Sequence, residues 1–307
     1  MSYSPVALFV YNRLYHTRQT IAHLQKNSLA TKSDLFIFSD AAKNLEAQES
    51  IEEIRKYIKN ITGFKSITII EREKNLGLAN SIIDGVTHLC DKYGQVIVLE
   101  DDLITSQYFL AFMNNALNYY RNHNQVVSID CYMYPIKEEM PETFFLKDPG
   151  CWGWATWQRG WKLFEPNGSK LLKELKEKKL EEVFDYDNSY PYTKMLENQV
   201  LKQNDSWAIR WYASVFLKDK LVLHVGKSLV ANIGNDSSGT HGGKTDIYDV
   251  ELNSLPVDIK EIALKEDSMV KKKIAVFLSA TQKCTVKSFF SHILSIIKAV
   301  FRKCHLN

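Results

Sequence analysis

The stretch GQVIVLEDDLITSQYF, residues 94–109, places three acids directly behind an apolar strand. Residues 96–99 are all apolar, which predicts a strand buried on both faces, and Glu100, Asp101 and Asp102 follow at once. The stretch contains no Lys or Arg that would neutralise them. Three carboxylates held close together repel one another unless a cation or a proton relieves them. We therefore expect these acids to face a ligand.

The first hundred residues alternate between strand and helix periodicity. Apolar runs of strand length cover 5–11, 34–40, 66–72 and 95–99. The intervening segments have helical spacing: the stretch to about Lys26, then 47–61, then 77–94, which Gly94 closes. Strands that alternate with helices and are apolar on both faces are typical of a parallel sheet covered on both sides. The sequence thus predicts an α/β fold with a mainly parallel central sheet.

The ends of these strands carry polar groups. They read YNR (11–13), SD (39–40), ERE (71–73) and EDD (100–102), and three of the four contain an acid. In open α/β sheets, ligands bind in the crevice beyond the carboxyl ends of the strands. We expect the acids to share such a crevice, although a single Asp at a strand end is also a common helix cap.

Composition and charge disfavour several classes of protein. The 307 residues are 45% hydrophobic, and the five cysteines are scattered without a CxxC pair, which favours free thiols over disulfides or a zinc site. We read no signal peptide and no spanning helix, which predicts a cytoplasmic protein. Outside the C-terminal tail, 31 basic residues face 36 acids, so nucleic-acid binding by the body is disfavoured.

The C-terminal tail is basic. Beyond residue 270 there are eight Lys or Arg residues and no acid. Apolar residues of 286–301 follow helical spacing and are flanked by basic residues, which predicts an amphipathic helix lying on an anionic membrane surface. Docking of this helix on the body would explain its apolar stripe equally well.

Seven motifs between residues 5 and 245 follow a recognisable order: PVALFVYNR, FIFSD, EKNLGLANSI, VIVLEDDL, GCWGWATW, NDSWAIRW and NIGNDSSGTHGG. In this order they resemble the GT-A family of nucleotide-sugar-dependent glycosyltransferases, and most closely the branch of the N-acetylglucosaminyltransferase I type enzymes and their bacterial relatives. In that branch the metal-binding DxD motif appears as EDD. The resemblance implies a GT-A, Rossmann-like fold.

The resemblance also implies a donor and a metal. Asp102, with His241 of the C-terminal loop, would bind a Mn²⁺ or Mg²⁺ ion that bridges the diphosphate of a nucleotide sugar, most simply a UDP-sugar. The residues implied in donor binding are Asn12, Arg13, Asp40, Asn80, Glu100 and Asp101. A cation and an arginine stabilise the charge on a departing diphosphate, and a carboxylate accepts well from a pyrimidine N–H.

The second half is expected to bind the acceptor. All six tryptophans lie between residues 152 and 211, and we predict that Trp152 or Trp154 lines a saccharide groove while the others pack in the core. The resemblance implies that Asp205 is the catalytic base of an inverting transfer. Related enzymes carry two acids before the tryptophan, whereas Ser206 follows Asp205 here, so Asp205 is alternatively a neighbour of the base or a helix cap.

These observations predict three parts: a nucleotide-sugar-binding half (1–104), an acceptor-binding and catalytic half of the same domain (105–250), and a linker with a basic amphipathic tail (251–307). The expected function is an inverting, metal-dependent hexosyl- or N-acetylhexosaminyl-transferase that acts on a carbohydrate or lipid-linked glycan, as in bacterial surface polysaccharide synthesis. It would lie peripherally on the cytoplasmic face of the membrane. The alternatives are a sugar-nucleotide nucleotidyltransferase and a non-catalytic carbohydrate-binding protein.

Overall fold

The computed structural model of the protein describes residues 3–239 and 244–282. His241 and the apolar stripe of 286–301 therefore lie outside the described residues. The strands are β1 (Val6–Val10), β2 (Asp34–Ser39), β3 (Ser66–Glu71), β4 (Gln95–Glu100), β5 (Leu103–Thr105), β6 (Val126–Asp130), β7 (Thr143–Leu146), β8 (Trp154–Trp157), β9 (Leu221–Val225) and β10 (Val230–Asn232). The helices are α1 (Leu14–Gln25), α2 (Gln48–Ile58), α3 (Gly77–Tyr93), α4 (Phe109–Tyr119), α5 (Gln158–Trp161), α6 (Gly168–Glu177), α7 (Glu181–Phe184), α8 (Tyr192–Val200) and α9 (Trp207–Leu217).

One sheet runs through both predicted halves. Its order is β3-β2-β1-β4-β8-β6-β9-β7, and every strand except β8 and β7 runs in the same direction. The predicted α/β fold with a mainly parallel central sheet is confirmed. Strands β1 and β4 lie in the interior of the sheet and are buried along nearly their whole length, as their unbroken apolar runs require.

Helix α3 packs closely on the sheet because Gly85 faces it. A Cβ atom at this position would overlap the rings of Phe9 and Phe38, so only glycine allows this approach. The helix ends where Gly94 takes the left-handed conformation, with φ of +77°. The sequence predicted this end correctly, and it sets the start of β4, which carries the three acids.

Strand β8 joins the two halves. It lies antiparallel between β4 and β6, so that Trp154 is opposite both Val98 and Asp130. The residues just before β8 are thereby placed between the carboxyl ends of β4 and β6. A second, two-stranded sheet pairs β10 with β5 and returns the chain from residue 230 to the acids.

Helical structure also covers residues 268–282, here called the C-terminal helix. Its residues Val270, Ile274 and Leu278 repeat every four positions and are at most 2% exposed, in one cluster with α6, α9 and β7. On the opposite side, Met269 and Val276 are about 70% exposed. The first part of the predicted tail is thus a docked helix, because its apolar stripe packs against α6, α9 and β7. Within the described residues, no helix is long and apolar enough to cross a bilayer.

Candidate active site

Arg13 joins the end of β1 to the acids that follow β4. The two strands are adjacent, with Phe9 opposite Glu100, so residues shortly after each strand meet at one edge. The Nη2 atom of Arg13 forms ion pairs with Asp101 and, at 2.9 Å, with Oδ2 of Asp102. Arg13 and Asp102 each keep less than a fifth of their side-chain surface exposed. The structure thereby brings together three of the residues predicted to bind donor or metal.

The acids are electrostatically strained even with Arg13 beside them. Burial, reinforced by the charges of Asp102 and Asp101, raises the pKa of Glu100 well above its ordinary value. Burial also raises the pKa of Asp101 to about 6, although Arg13 opposes the shift. One guanidinium therefore does not balance three carboxyl groups held this close. This centre favours a further positive charge.

The donor atoms suit a hard divalent cation. Oδ2 of Asp101 is buried without a hydrogen-bond partner, and Asp102 adds a second carboxylate that remains partly exposed. Oxygen ligands of this kind hold Mg²⁺ or Mn²⁺, with water and phosphate oxygens completing the shell. Within residues 3–239 and 244–282, no three His, Cys, Asp or Glu side chains are grouped to enclose an ion by themselves. Asp101 and Asp102 would therefore leave much of an ion's coordination shell to water or to a bound ligand.

The segment after β10 closes over this centre. The N–H of Ile233 donates to the Asp102 carbonyl at 2.9 Å, and a Cβ atom at Gly234 would overlap the Asp102 carboxylate and crowd Arg13. Asp236 lies 3.1 Å from Nε2 of His16, on α1. The motif NIGNDSSGTHGG was predicted to approach the metal through His241, which lies outside the described residues. Its glycine at 234 is the residue that the structure places against the acids.

A cavity of about 630 Å³ adjoins this segment. It lies between β10 and residues 244–250, and Asp236 and Asp249 are among its lining residues. The side chain of Asn235 also lines it, with Nδ2 buried and without a hydrogen-bond partner. The sequence pattern gave no signal for this cavity, because only the folded chain brings β5 and β10 against residues 244–250.

Asp40 is bound by the backbone at the start of α3. Its carboxylate accepts hydrogen bonds from the N–H groups of Leu76 at 2.9 Å and Gly77 at 2.9 Å, and from Nδ2 of Asn75 at 3.2 Å. No side chain next to α3 caps the helix, so Asp40 supplies the cap from β2. The predicted contact between Asp40 and a nucleotide base would have to compete with these bonds.

The two remaining donor-binding candidates lie at the surface. Asn80 is exposed on α3 and donates from Nδ2 to the Leu76 carbonyl at 2.9 Å. Asn12 is exposed in the turn between β1 and α1, next to Arg13. Of the two, only Asn12 is tied by the chain to the acid centre.

Residues 150–152 lie between the acids of β4 and the end of β6. Burial raises the pKa of the Cys151 thiol, and the charges of Glu100, Asp130 and Asp102 add to the shift, so both groups of acids are near it. Trp152 is partly buried, and its ring meets that of Tyr132 edge-on at 4.6 Å. Trp152 therefore lies close to both groups of acids.

Trp154 has a different environment from Trp152. It is fully buried and packs with three other tryptophans, Trp161, Trp207 and Trp211. The prediction that Trp154 lines the groove is wrong for this structure, because its ring points into the core under α9. The prediction that the remaining tryptophans are mostly core is confirmed for these three.

A buried polar group at the end of β6 escaped the sequence analysis. Asp130 is 4% exposed, and its Oδ2 lies 3.5 Å from Nδ1 of His224, whose Nε2 lies 3.0 Å from the Asp148 carbonyl. Burial lowers the pKa of His224 to about 4 and raises that of Asp130 well above its ordinary value. Because a carbonyl only accepts, the neutral imidazole carries its proton on Nε2. Nδ1 is then the unprotonated nitrogen, and it faces the Asp130 carboxyl at 3.5 Å.

Asp205, the predicted base, stands at the start of α9. Its side chain is 67% exposed and pairs with Nη2 of Arg210 at 3.3 Å. The cap of α9 is Ser206, whose Oγ accepts from the N–H of Ile209 at 3.2 Å. The capping alternative for Asp205 is therefore wrong, and its carboxylate remains open to solvent.

Comparisons with known proteins give a weak likeness of fold. No family model matches the chain, and no curated protein matches it. A mannosyltransferase, PcManGT from Pyrobaculum calidifontis, solved with GDP-Man and Mn²⁺, is 15% identical with a TM-score of 0.32, over 44% of this chain and 38% of that one. TarS from S. aureus is 13% identical with a TM-score of 0.31, over 45% of this chain and 23% of that one. A UDP-glucose pyrophosphorylase complexed with UDP-glucose is 12% identical with a TM-score of 0.38, over 75% of this chain and 94% of that one.

The chain thus spans well under half the length of the first two structures it matches. Likeness at this level assigns no family, and the N-acetylglucosaminyltransferase I type branch stays a prediction. The function has to be argued from the geometry of the site.

The role of Asp40 is testable through stability. We expect Asp40→Ala to lower the free energy of unfolding by about 2 kcal/mol, because the N–H groups at the start of α3 lose a charged acceptor. Chemical denaturation measures this loss. Asp84→Ala is the matched control on the same helix, since Asp84 is 55% exposed and makes only a surface ion pair with Arg72. Unchanged stability in Asp40→Ala, with weakened binding of UDP, would show that Asp40 serves the nucleotide and not the helix.

Proposed function

We propose that the protein is a metal-dependent glycosyltransferase of the GT-A type that transfers a sugar from a nucleotide donor, a UDP-sugar, to a carbohydrate or lipid-linked glycan. The observation that carries the proposal is the meeting of Arg13 with Asp101 and Asp102 at the carboxyl edge of the sheet. Burial and mutual repulsion raise the pKa of Glu100 and of Asp101 even with Arg13 beside them, which supports a role beyond a structural ion pair. A divalent cation with an anionic ligand would relieve this repulsion.

Asp102 would hold the metal, with the buried Asp101 behind it. When bound, Mn²⁺ or Mg²⁺ supplies positive charge to the diphosphate. Arg13 lies within reach of the same oxygens and stabilises the negative charge that develops as the sugar–phosphate bond breaks. Glu100 would contact the ribose or a water molecule through its carboxyl oxygens. The segment at Gly234 covers the centre and limits access of water.

Asp205 would act as the base of an inverting transfer. An inverting displacement needs one group to take the proton of the acceptor hydroxyl. The carboxylate of Asp205 is exposed and oriented by Arg210, whereas Asp130 is buried and paired with His224. Asp205 is therefore the better base of these two acids, and Asp130 is the better support for residues 150–152.

A sugar-nucleotide nucleotidyltransferase is the second candidate. Such an enzyme would use the same acids and arginine on a diphosphate, and it would release pyrophosphate or consume it. The aromatic groups around Trp152 favour the glycosyltransferase, because a nucleotidyltransferase needs no glycan site. A carbohydrate-binding protein without catalysis would not need the three adjacent acids at 100–102.

The peripheral membrane position is also proposed. Beyond residue 282 the sequence carries five basic residues, Lys283, Lys287, Lys298, Arg302 and Lys303. The C-terminal helix precedes this segment in the chain. Its Met269 and Val276 are apolar and exposed to solvent. Each basic residue near an anionic leaflet adds about 1 kcal/mol of attraction. A lipid-linked acceptor would make this location useful, with the catalytic body on the cytoplasmic face.

Metal binding is expected to depend on Asp102. We expect wild-type protein with UDP to bind Mn²⁺, and Asp102→Asn to weaken this binding at least tenfold and to remove turnover, because one charged ligand is lost. The loss of the free-ion signal in Mn²⁺ electron paramagnetic resonance measures binding directly. Asp219→Asn is the control, since Asp219 is 76% exposed in a surface pair with Lys147. Full turnover by metal-free protein in excess chelator would exclude the metal role.

Asp205 is expected to affect turnover and not donor binding. Asp205→Asn should lower the rate of UDP release in the presence of glycan acceptors by about 10²-fold or more, with the affinity for UDP unchanged, as for loss of a proton acceptor. Stopped assays of released UDP and calorimetry of UDP binding separate the two effects. Glu182→Gln provides a comparison at another exposed acid of the same half. Near-normal turnover in Asp205→Asn would place the base elsewhere.

Membrane binding is expected to require residues after 282. The full chain should sediment with anionic liposomes at low salt and be released at high salt, because the attraction is electrostatic. A chain ending at Gln282 keeps the docked helix and should stay in the supernatant. Neutral liposomes are the control for apolar binding alone. If both chains stay in the supernatant on anionic liposomes at low salt, the tail does not bind membranes.

A further inference from the structure

Five aromatic side chains from four segments form a closed circuit of ring contacts, here called the aromatic cluster. Trp152 meets Tyr132 at 4.6 Å, Tyr132 meets Tyr134 at 5.6 Å, and Tyr134 meets Phe277 at 5.1 Å. Phe277 then meets Tyr248 at 6.3 Å, and Tyr248 returns to Trp152 at 6.0 Å. The circuit therefore links the residues before β8 with the C-terminal helix.

The cluster lies beside the acid centre. Trp152 precedes Trp154 by two residues, and Trp154 is opposite Val98, so Trp152 lies near the carboxyl end of β4. Burial, and then the charges of Glu100 and Asp102 among others, raise the pKa of the neighbouring Cys151 thiol, so the thiol lies near these acids. A molecule stacked on Trp152 would thus have its reacting end close to a donor held at the acids.

The cluster is not a sealed core. Trp154, two residues away from Trp152, has no exposed surface, whereas Tyr134, Trp152, Tyr248 and Phe277 are all only partly buried. Two of the hydroxyl groups are engaged within the protein: Tyr132 donates to the Tyr248 carbonyl at 2.8 Å, and Tyr134 is hydrogen-bonded to Tyr192. The partly buried members of the cluster leave part of their surface at the solvent.

One acidic group, Asp249, borders the cluster on the side of the cavity. Asp249 follows Tyr248 in the chain and lines the 630 Å³ cavity. Its charge contributes to raising the pKa of Tyr132, after burial, Tyr248 and Asp130, so Asp249 lies close to the cluster. Aromatic rings with a carboxylate at their border suit a neutral sugar ring. Its C–H bonds pack on the negative ring faces, and a hydroxyl donates to the carboxylate.

We propose that the aromatic cluster, with Asp249 at its border, is a saccharide-binding subsite, and that Phe277 of the C-terminal helix forms one wall of it. The inference rests on the proposed function, because it names the acceptor as a neutral sugar and locates the site that takes it. It also gives the C-terminal helix a role in substrate binding, in addition to its packing on the body. The occupant presents at least one pyranose face to the rings.

The test uses the full-length protein, without donor, and ligand-observed saturation-transfer NMR. The probes are methyl glycosides of glucose, galactose, mannose and N-acetylglucosamine, together with cellotetraose and chitotetraose. Wild-type protein should bind at least one of them. Phe277→Leu keeps an apolar side chain, so it should fold, yet it should weaken that binding about tenfold because the stacking face is lost. Trp152→Leu should weaken it at least as much.

The control is Tyr119→Leu, an equally large change at a 40% exposed aromatic residue of α4, outside the cluster. It should bind the saccharide as the wild type does, and all variants should keep their affinity for UDP. Wild-type affinity in Phe277→Leu would overturn the subsite, and so would the failure of every saccharide to bind while UDP binds. Displacement of the bound saccharide by uridine would assign the cluster to the nucleotide instead. Saccharide binding in a protein that neither binds nor turns over nucleotide sugars would contradict the proposed function and leave the subsite standing.

Discussion

The repulsion among Glu100, Asp101 and Asp102 is the constraint on which the rest of the site depends. These acids stand at the end of a strand whose interior is buried on both faces, so the sheet holds them close together. Arg13 reaches them from the adjacent strand and forms ion pairs with two of them. The remaining imbalance appears as the raised pKa of Glu100 and Asp101. Arg13 alone relieves the repulsion among the acids only in part, so the site favours binding of a cation together with an anionic ligand.

The position of β8 brings further groups to this charged edge. By inserting antiparallel between β4 and β6, it places residues 150–152 between the acids and the buried pair of Asp130 and His224. Groups from distant parts of the sequence also lie at this edge: Gly234 packs against Asp102, and the aromatic cluster includes Trp152. The two predicted halves share one sheet.

The sequence predicted some parts of this site well and others poorly. The ends of β1 and β4 and the meeting of Arg13 with EDD could be predicted, because parallel strands bring their carboxyl ends to the same edge. The hydrogen bonds that occupy the Asp40 carboxylate could not be predicted, because the donors are the backbone N–H groups of Leu76 and Gly77, which lie 36 and 37 residues away in the chain. The burial of Trp154 also could not, since alternation along β8 does not say which face α9 covers. Asp130 and His224 gave no signal at all, being single polar residues in apolar strands.

What the sequence by itself determined is local: the strand and helix periods, the turn at Gly94, and the order of acids at the strand ends. These follow from side-chain spacing and backbone conformation within a few residues. Only the tertiary structure decided which polar groups are already satisfied, which aromatic rings remain partly exposed, and that the helix of 268–282 docks on the body. Burial and hydrogen bonding depend on neighbours far away in the chain. The sequence pattern of an apolar stripe is the same whether the stripe faces a membrane or another helix. For residues 268–282, the contacts of Val270, Ile274 and Leu278 show that the stripe packs on the body.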